Sequence, residues 1–361
     1  MNFWQSLKKP FFVVAPMADV TDVAFRRMLA KYSAHERADG TWGGPDVMWT
    51  EFVSADGLAL APEEGRKKLM ADLLYAEEER PIVAQLFSSK EEHMEAAAKL
   101  CRELGFDGID INMGCPDRSI EKQGCGSAMI KTPEIAKAII RAAKRGAGDI
   151  PVSVKTRVGY NEEEIETWIP AVLSEKPAVL TVHARTRKEM SKVPAKWERL
   201  KRIVELRDEL SPETLIIGNG DVLSLEDSKH KAETFGVDGV MIGRALFGYP
   251  WFFHPEKRLP HSLNALPTQG VDREKLITID EVEGEHIITL KERLEVLVEH
   301  SRLFEEMLPH KSFNVMKKHY KAYVNGFPHA AELRGKLMEQ SSADDVAAVV
   351  HEFLEGDSQK N

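Results

Sequence analysis

Eight short β-branched runs, each followed by a stretch with helical spacing, recur along the first 245 residues. They span residues 11–17, 46–52, 81–87, 108–114, 151–157, 179–185, 215–220 and 239–245. Segments 90–104, 133–145 and 196–210 between them carry the period of amphipathic helices, with Gly105, Gly146 and Gly236 placed as helix stops. Parallel strands joined by helices form either an open doubly wound sheet or a closed barrel. The open sheet rarely runs through eight consecutive units without an antiparallel edge, and no GxGxxG follows the first run. A closed (β/α)8 TIM barrel is therefore expected over residues 1–254.

Beyond the barrel the pattern changes twice. Residues 255–285 mix Pro, Gly and charges without a sustained period and read as a connector. Residues 286–361 are helical in spacing, with Ser342 ahead of Asp344 and Asp345 as a helix start, and read as a small helical bundle domain.

Composition narrows the function classes. A chain of 361 residues with 43% hydrophobic and 30% charged residues suits a soluble globular enzyme. No run approaches the roughly 18 apolar residues of a membrane helix, and the opening segment lacks a signal-peptide cleavage site, so no membrane and a cytoplasmic location are expected. Cys101, Cys115 and Cys125 are odd in number and irregularly spaced, which fits reduced thiols rather than disulfides or a metal site. The net charge of −9 argues against indiscriminate nucleic-acid binding but leaves room for a local basic face.

In a barrel of this kind the residues closing each strand share one cleft. Here they are Pro16, Met17 and Ala18, then Gln85, Asn112, Lys155 with Arg157, His183 with Arg185, Asn219-Gly220-Asp221 and Gly243-Arg244. Cys115 stands just beyond the fourth strand in a Gly-Cys-Pro turn. Packing favours Val, Ile and Leu in a barrel, so this many polar strand ends points to a ligand. Gly220 and Gly243 permit close backbone approach, and Arg244 opens a short helical segment whose amides suit an anion. A phosphate at the last two strands plus a platform of Met, Gln, Asn, Lys and His suits FMN.

At these residues the chain resembles the flavin-dependent tRNA dihydrouridine synthases. The matching segments are APMADVTDVAFR at 15–26, AQLF at 84–87, DINMGCP at 110–116, GSAM at 126–129, VKTRVG at 154–159 and HARTR at 183–187. The likeness continues with NGD at 219–221, IGRALFGYPWFF at 242–253 and MKKHYKAYVNGFPHAAELR at 316–334. The resemblance implies that Pro16, Met17, Ala18, Gln85, Lys155, His183, Asn219, Gly220, Asp221, Gly243 and Arg244 bind FMN; Asn112 joins them on its own chemistry, as a source of directional hydrogen bonds. The resemblance further implies that Cys115 is the proton donor, NADPH the reductant and tRNA the substrate. Departures from the family pattern are a longer 35–46 segment, Ala184 in place of a common glycine, and the 255–285 connector.

RNA also calls for a grip outside the cleft. Residues 310–336 hold six Lys or Arg against one acid, with Tyr320 and Tyr323 interleaved. Lys317, Lys318, Lys321, Tyr323 and Arg334 are the candidates there, and Arg185 and Arg187 after the sixth strand are candidates for the cleft rim. A monomer is expected, with no metal. Two competing readings are a flavin barrel reductase of a small molecule, of the dihydroorotate dehydrogenase or enoate reductase type, and a non-catalytic RNA-binding flavoprotein.

Overall fold

A computed structural model of the protein describes residues 2–37, 40–259 and 286–358. All eight expected strands form: β1 (Phe11–Val14), β2 (Met48–Ser54), β3 (Ile82–Phe87), β4 (Gly108–Met113), β5 (Val152–Arg157), β6 (Val179–His183), β7 (Leu215–Asn219) and β8 (Gly239–Ile242). They make one parallel sheet in the order β1-β8-β7-β6-β5-β4-β3-β2, and a parallel bridge between Val13 and Val47 joins its two ends into a barrel.

Register explains where polarity gathers. Arg157 pairs with His183, His183 with Asn219, Asn219 with Met241, and Met241 with Val13. The same row is thus polar at the carboxyl ends of β5 to β7 and apolar by β8 and β1, because tilted strands carry one row down the barrel. Below the polar rows lies an apolar plug that includes Val83, Val179, Leu215, Ile217 and Met241. Trp4, on a short 3-10 helix (Phe3–Ser6), is part of that plug, with its ring 5.8 Å from Phe11 and 5.6 Å from Trp49.

Gly146 is not a helix stop. It lies inside the helix Pro133–Ala147, where a Cβ would come 2.1 Å from the Glu95 carbonyl oxygen of the helix Glu91–Glu103. Its role is close helix packing, and Gly148, with φ of +65°, takes the capping position.

The chain divides into two compact units, Met1–Asp22 with Pro45–Arg244, and Val23–Gly44 with Ala245 onward. The second unit therefore starts before the expected boundary at 254 and also takes in the first barrel helix, Val23–Tyr32. Trp251 is the reason: it is buried in the core of that unit, edge-on to Tyr32 at 5.2 Å, while Ser33 Oγ donates to the Pro250 carbonyl at 2.6 Å. Besides Val23–Tyr32, the α-helices of this unit among the described residues are Leu290–Met307, Lys317–Tyr323, Ala330–Met338 and Ala343–Ser358. Of the connector only 255–259 lies within the described residues, and Lys257–Arg258 pairs with His286–Ile287. Among the described residues no helix is long and apolar enough to cross a membrane.

Candidate active site

Strands β3 and β4 deliver Gln85 and Asn112 to one buried hydrogen-bond chain that starts at Asp110. Asp110 accepts from Ser153 Oγ at 2.6 Å and from Gln85 Nε2 at 2.6 Å. Gln85 Oε1 accepts from Asn112 Nδ2 at 3.1 Å. Asn112 Oδ1 then accepts from the backbone N–H of Gly114 at 3.2 Å and of Cys115 at 2.9 Å. Asn112, assigned from sequence to the cofactor, thus anchors the Gly-Cys-Pro turn with Oδ1 while its Nδ2 is engaged by Gln85. Asp110 and Ser153 were not among the sequence candidates. The signal was present in the alternation of β4, which puts Asp110 and Asn112 on the inner face and Ile109, Ile111 and Met113 on the other.

Cys115 sits half-buried on that turn, whereas Cys101 and Cys125 are buried. Burial pushes the Cys115 thiol above its ordinary value, against a lowering hydrogen bond from the Asp117 backbone. The thiol is accordingly the protonated form at neutral pH, as an acid requires. From the other side the turn is held by Ser127, whose N–H and Oγ both reach the Cys115 carbonyl at 2.9 Å.

β5, β6 and β7 supply a cationic wall. Lys155 Nζ reaches Asn219 Oδ1 at 3.3 Å, and Asn219 Nδ2 donates to the Met241 carbonyl at 2.8 Å. Burial, then the neighbouring Arg157, bring Lys155 down to about 8. Arg157 donates to the Gly114 carbonyl at 2.8 Å, and burial lowers it to about 10, still charged at neutral pH. His183 is held well below the usual histidine range by burial and by the surrounding Arg157, Lys155, Arg185 and Arg244. Its ring is therefore neutral. Arg185 Nη1 lies 3.0 Å from His183 Nε2, and since a guanidinium only donates, Nε2 is the acceptor and Nδ1 carries the hydrogen.

Asp221 ties the far side together. Its carboxylate accepts from Arg185 and Arg244 and from the Ala195 N–H at 2.9 Å, in a left-handed backbone with φ of +47°. A carboxylate so engaged orients two arginines and is not itself a group that holds an anion. Gly220 must be glycine: its φ is +126°, and a Cβ would lie 2.8 Å from Ala195 Cβ and 3.1 Å from His183 Cδ2. At Gly243 a Cβ would meet Met17 Sδ at 3.4 Å and Ala15 Cβ at 3.6 Å, ordinary contacts. The loop carrying Pro16, Met17 and Ala18 is pinned by Met17 N–H donating to Thr21 Oγ1 at 2.8 Å and Asp19 N–H donating to the buried Glu51.

This donor set fits FMN. Arg244, more than half exposed, and the glycine-bearing strand ends around it match a phosphate, and charged Lys155 beside neutral His183 suits a ring that gains negative charge.

The structure changes the picture of the RNA candidates. Arg185 is only 2% exposed and bound to Asp221, so it is an internal brace and not a rim contact. Arg187 is ion-paired with Glu121. Tyr323 and Tyr320 are fully buried in the helical unit, so neither can stack on a base. Lys318 and Lys321 are exposed, Lys317 and Arg334 half-buried, and Arg334 donates to the Val324 carbonyl at 2.7 Å. Aromatic spacing did not distinguish a core stripe from a stacking surface on so short a helix.

Comparison with known proteins adds an independent line. The family described as "Dihydrouridine synthase (Dus)" matches residues 13–357. A probable tRNA-dihydrouridine synthase of Staphylococcus aureus (strain MRSA252) is 38% identical over 98% of this chain and 95% of its own length. Probable tRNA-dihydrouridine synthase 2 of Bacillus subtilis (strain 168) is 38% identical over 98% of this chain and 96% of its own. Among solved structures, histamine dehydrogenase from Rhizobium sp. 4-9 aligns at 13% identity and TM-score 0.44, covering 67% of this chain and 44% of that longer one.

Proposed function

Because the chain belongs to the dihydrouridine synthase family, we propose that it is a tRNA-dihydrouridine synthase that reduces the C5=C6 bond of specific uridines in tRNA, with FMN as cofactor and NADPH as reductant. The observation that carries this reading is Cys115, a half-buried thiol on a turn pinned by Asn112, in the same barrel mouth as a cationic wall.

Pro16, Met17, Ala18, Gln85, Lys155 and His183 would hold the ring of FMN, with Asn219, Gly220, Gly243 and Arg244 toward the phosphate and Asp221 bracing Arg244. The chemistry that FMN would supply when bound there is a hydride for C6 of the uracil. Cys115 supplies the proton that C5 then requires, so one hydride and one proton saturate the bond. Lys155 keeps its charge at neutral pH and favours the electron-rich state of the site. The target base must be turned out of the RNA fold to enter a barrel mouth. Lys317, Lys318, Lys321 and Arg334 are the candidate phosphate contacts.

Anaerobic mixing tests the reading. NADPH should bleach the bound flavin, and tRNA lacking dihydrouridine should restore its colour with dihydrouridine found by mass spectrometry. Cys115→Ala should retain flavin and NADPH oxidation yet lose roughly 10²- to 10⁴-fold in uridine reduction. Purified protein that is colourless and refuses FMN, or wild-type yield from Cys115→Ala, would overturn it.

A further inference from the structure

We infer that Asp110 is a positioning residue for the Cys115 turn: its carboxylate sets the direction of the hydrogen bonds through Gln85 and Asn112, and so aims the backbone that carries the thiol. The inference rests on the proposed reduction only for its activity readout.

Two side-chain amides stand between Asp110 and Cys115, and an amide can be turned end for end at little steric cost. A carboxylate removes that freedom because it only accepts. With Ser153 Oγ on one oxygen at 2.6 Å, the other must face a donor, and Gln85 Nε2 fills that role at 2.6 Å. Gln85 then presents Oε1 to Asn112, which must answer with Nδ2 at 3.1 Å. Only in that orientation does Asn112 Oδ1 remain for the Gly114 and Cys115 N–H groups. Turned over, Asn112 would aim an NH2 at two N–H donors and the turn would lose its anchor.

Burial makes the order strict. Asp110 and Gln85 are fully buried, Ser153 and Asn112 nearly so, and a reversed link inside the barrel has no water to repair it. Burial raises the Asp110 carboxyl to about 6, against hydrogen bonds from Ser153 and Gln85, the charge of Lys155 and the indole of Trp49, so the accepting form prevails at neutral pH. Asp110 reaches the turn through the two amides, and its charge also bears on Lys155.

The test uses FMN-loaded full-length protein and two near-isosteric variants. Asp110→Asn supplies both a donor and an acceptor, so the chain loses its direction. Iodoacetamide labelling of Cys115 against pH, followed by mass spectrometry, should show a displaced profile, since Cys101 and Cys125 are buried. Uridine reduction should fall about tenfold to a hundredfold in kcat, with KM for tRNA unchanged. The exchange variant D110N/Q85E moves the carboxylate one link along: the amide now at position 110 can donate to the carboxylate now at position 85, whose other oxygen accepts from Asn112. It should return the labelling profile to that of the wild type. That variant is read on the thiol alone, because residue 85 also belongs to the proposed FMN site. Unchanged labelling and kcat in D110N would overturn the inference, and so would an exchange variant as displaced as D110N. If D110N does not fold, the exchange variant is compared with the wild type alone: a matching labelling profile supports the inference and a displaced one overturns it. A wild-type protein that labels as expected but neither binds FMN nor reduces tRNA would remove the proposed function and leave the thiol result standing.

Discussion

The barrel mouth and the interior of the helical unit both bury polar side chains, but they satisfy them differently. In the mouth, Asp110, Gln85, Asn112, Lys155 and Asn219 each find a partner, and the links run in one direction. In the helical unit His300 and His319 are fully buried with ring centroids 4.6 Å apart, between Phe25 and Tyr323, and neither ring nitrogen has a hydrogen-bond partner among the described residues. Burial holds His300 well below the usual range and His319 down at about 3, so both pack as neutral aromatic filler. A connected network spends its desolvation cost on geometry, which chemistry needs. An unconnected pair gains only packing and leaves the fold exposed to acid.

That contrast breaks most visibly at Lys155. Lys155→Met removes the charge at the wall and should lower uridine reduction by about 10²- to 10³-fold. In the wild type the rate should fall as pH rises through about 8, where Lys155 loses its proton, and this limb should vanish in the variant. Steady-state pH profiles check both, and an unchanged alkaline limb in Lys155→Met would exclude Lys155 as its source.

A smaller effect is expected at the histidine pair, where the sign follows from linkage. The unfolded rings take up protons below about pH 6.5 while the folded ones do not, so stability is full above that pH and declines as pH falls. At pH 5 the loss is about 2 kcal/mol per ring. Urea midpoints at pH 7 and pH 5 should therefore converge in His319→Phe relative to the wild type. Equal pH sensitivity in both would show that the rings are not the source.

The gentlest test lies on the surface of the helical unit. Lys317→Glu with Lys318→Glu should weaken tRNA binding and flatten its dependence on salt, by roughly one in the log–log slope for each phosphate no longer neutralised. Affinity unchanged across salt would remove these residues from the RNA interface.

Much of the architecture was legible because period and punctuation are local. All eight strands were expected within a few residues of where they lie, and Ser342 does start a helix, its Oγ accepting from Asp345 N–H at 3.2 Å. Errors arose where a residue's meaning depends on what lies across from it. Gly146 looked like a stop because its neighbour Glu95 is distant in sequence. Tyr323 looked like a stacking surface because a helix of seven residues does not reveal which face is inside. Arg185 looked like a rim cation because its partner Asp221 comes from beyond another strand.

By itself the chain determined the eightfold alternation, the polar strand ends and the thiol beyond β4, since each is written in consecutive residues and the backbone's own periodicities. Tertiary structure alone decided which of those polar groups are engaged by one another. Asp110 has no visible task until β3 and β5 flank it, because hydrogen-bond direction is a property of atoms brought within about 3 Å by folding.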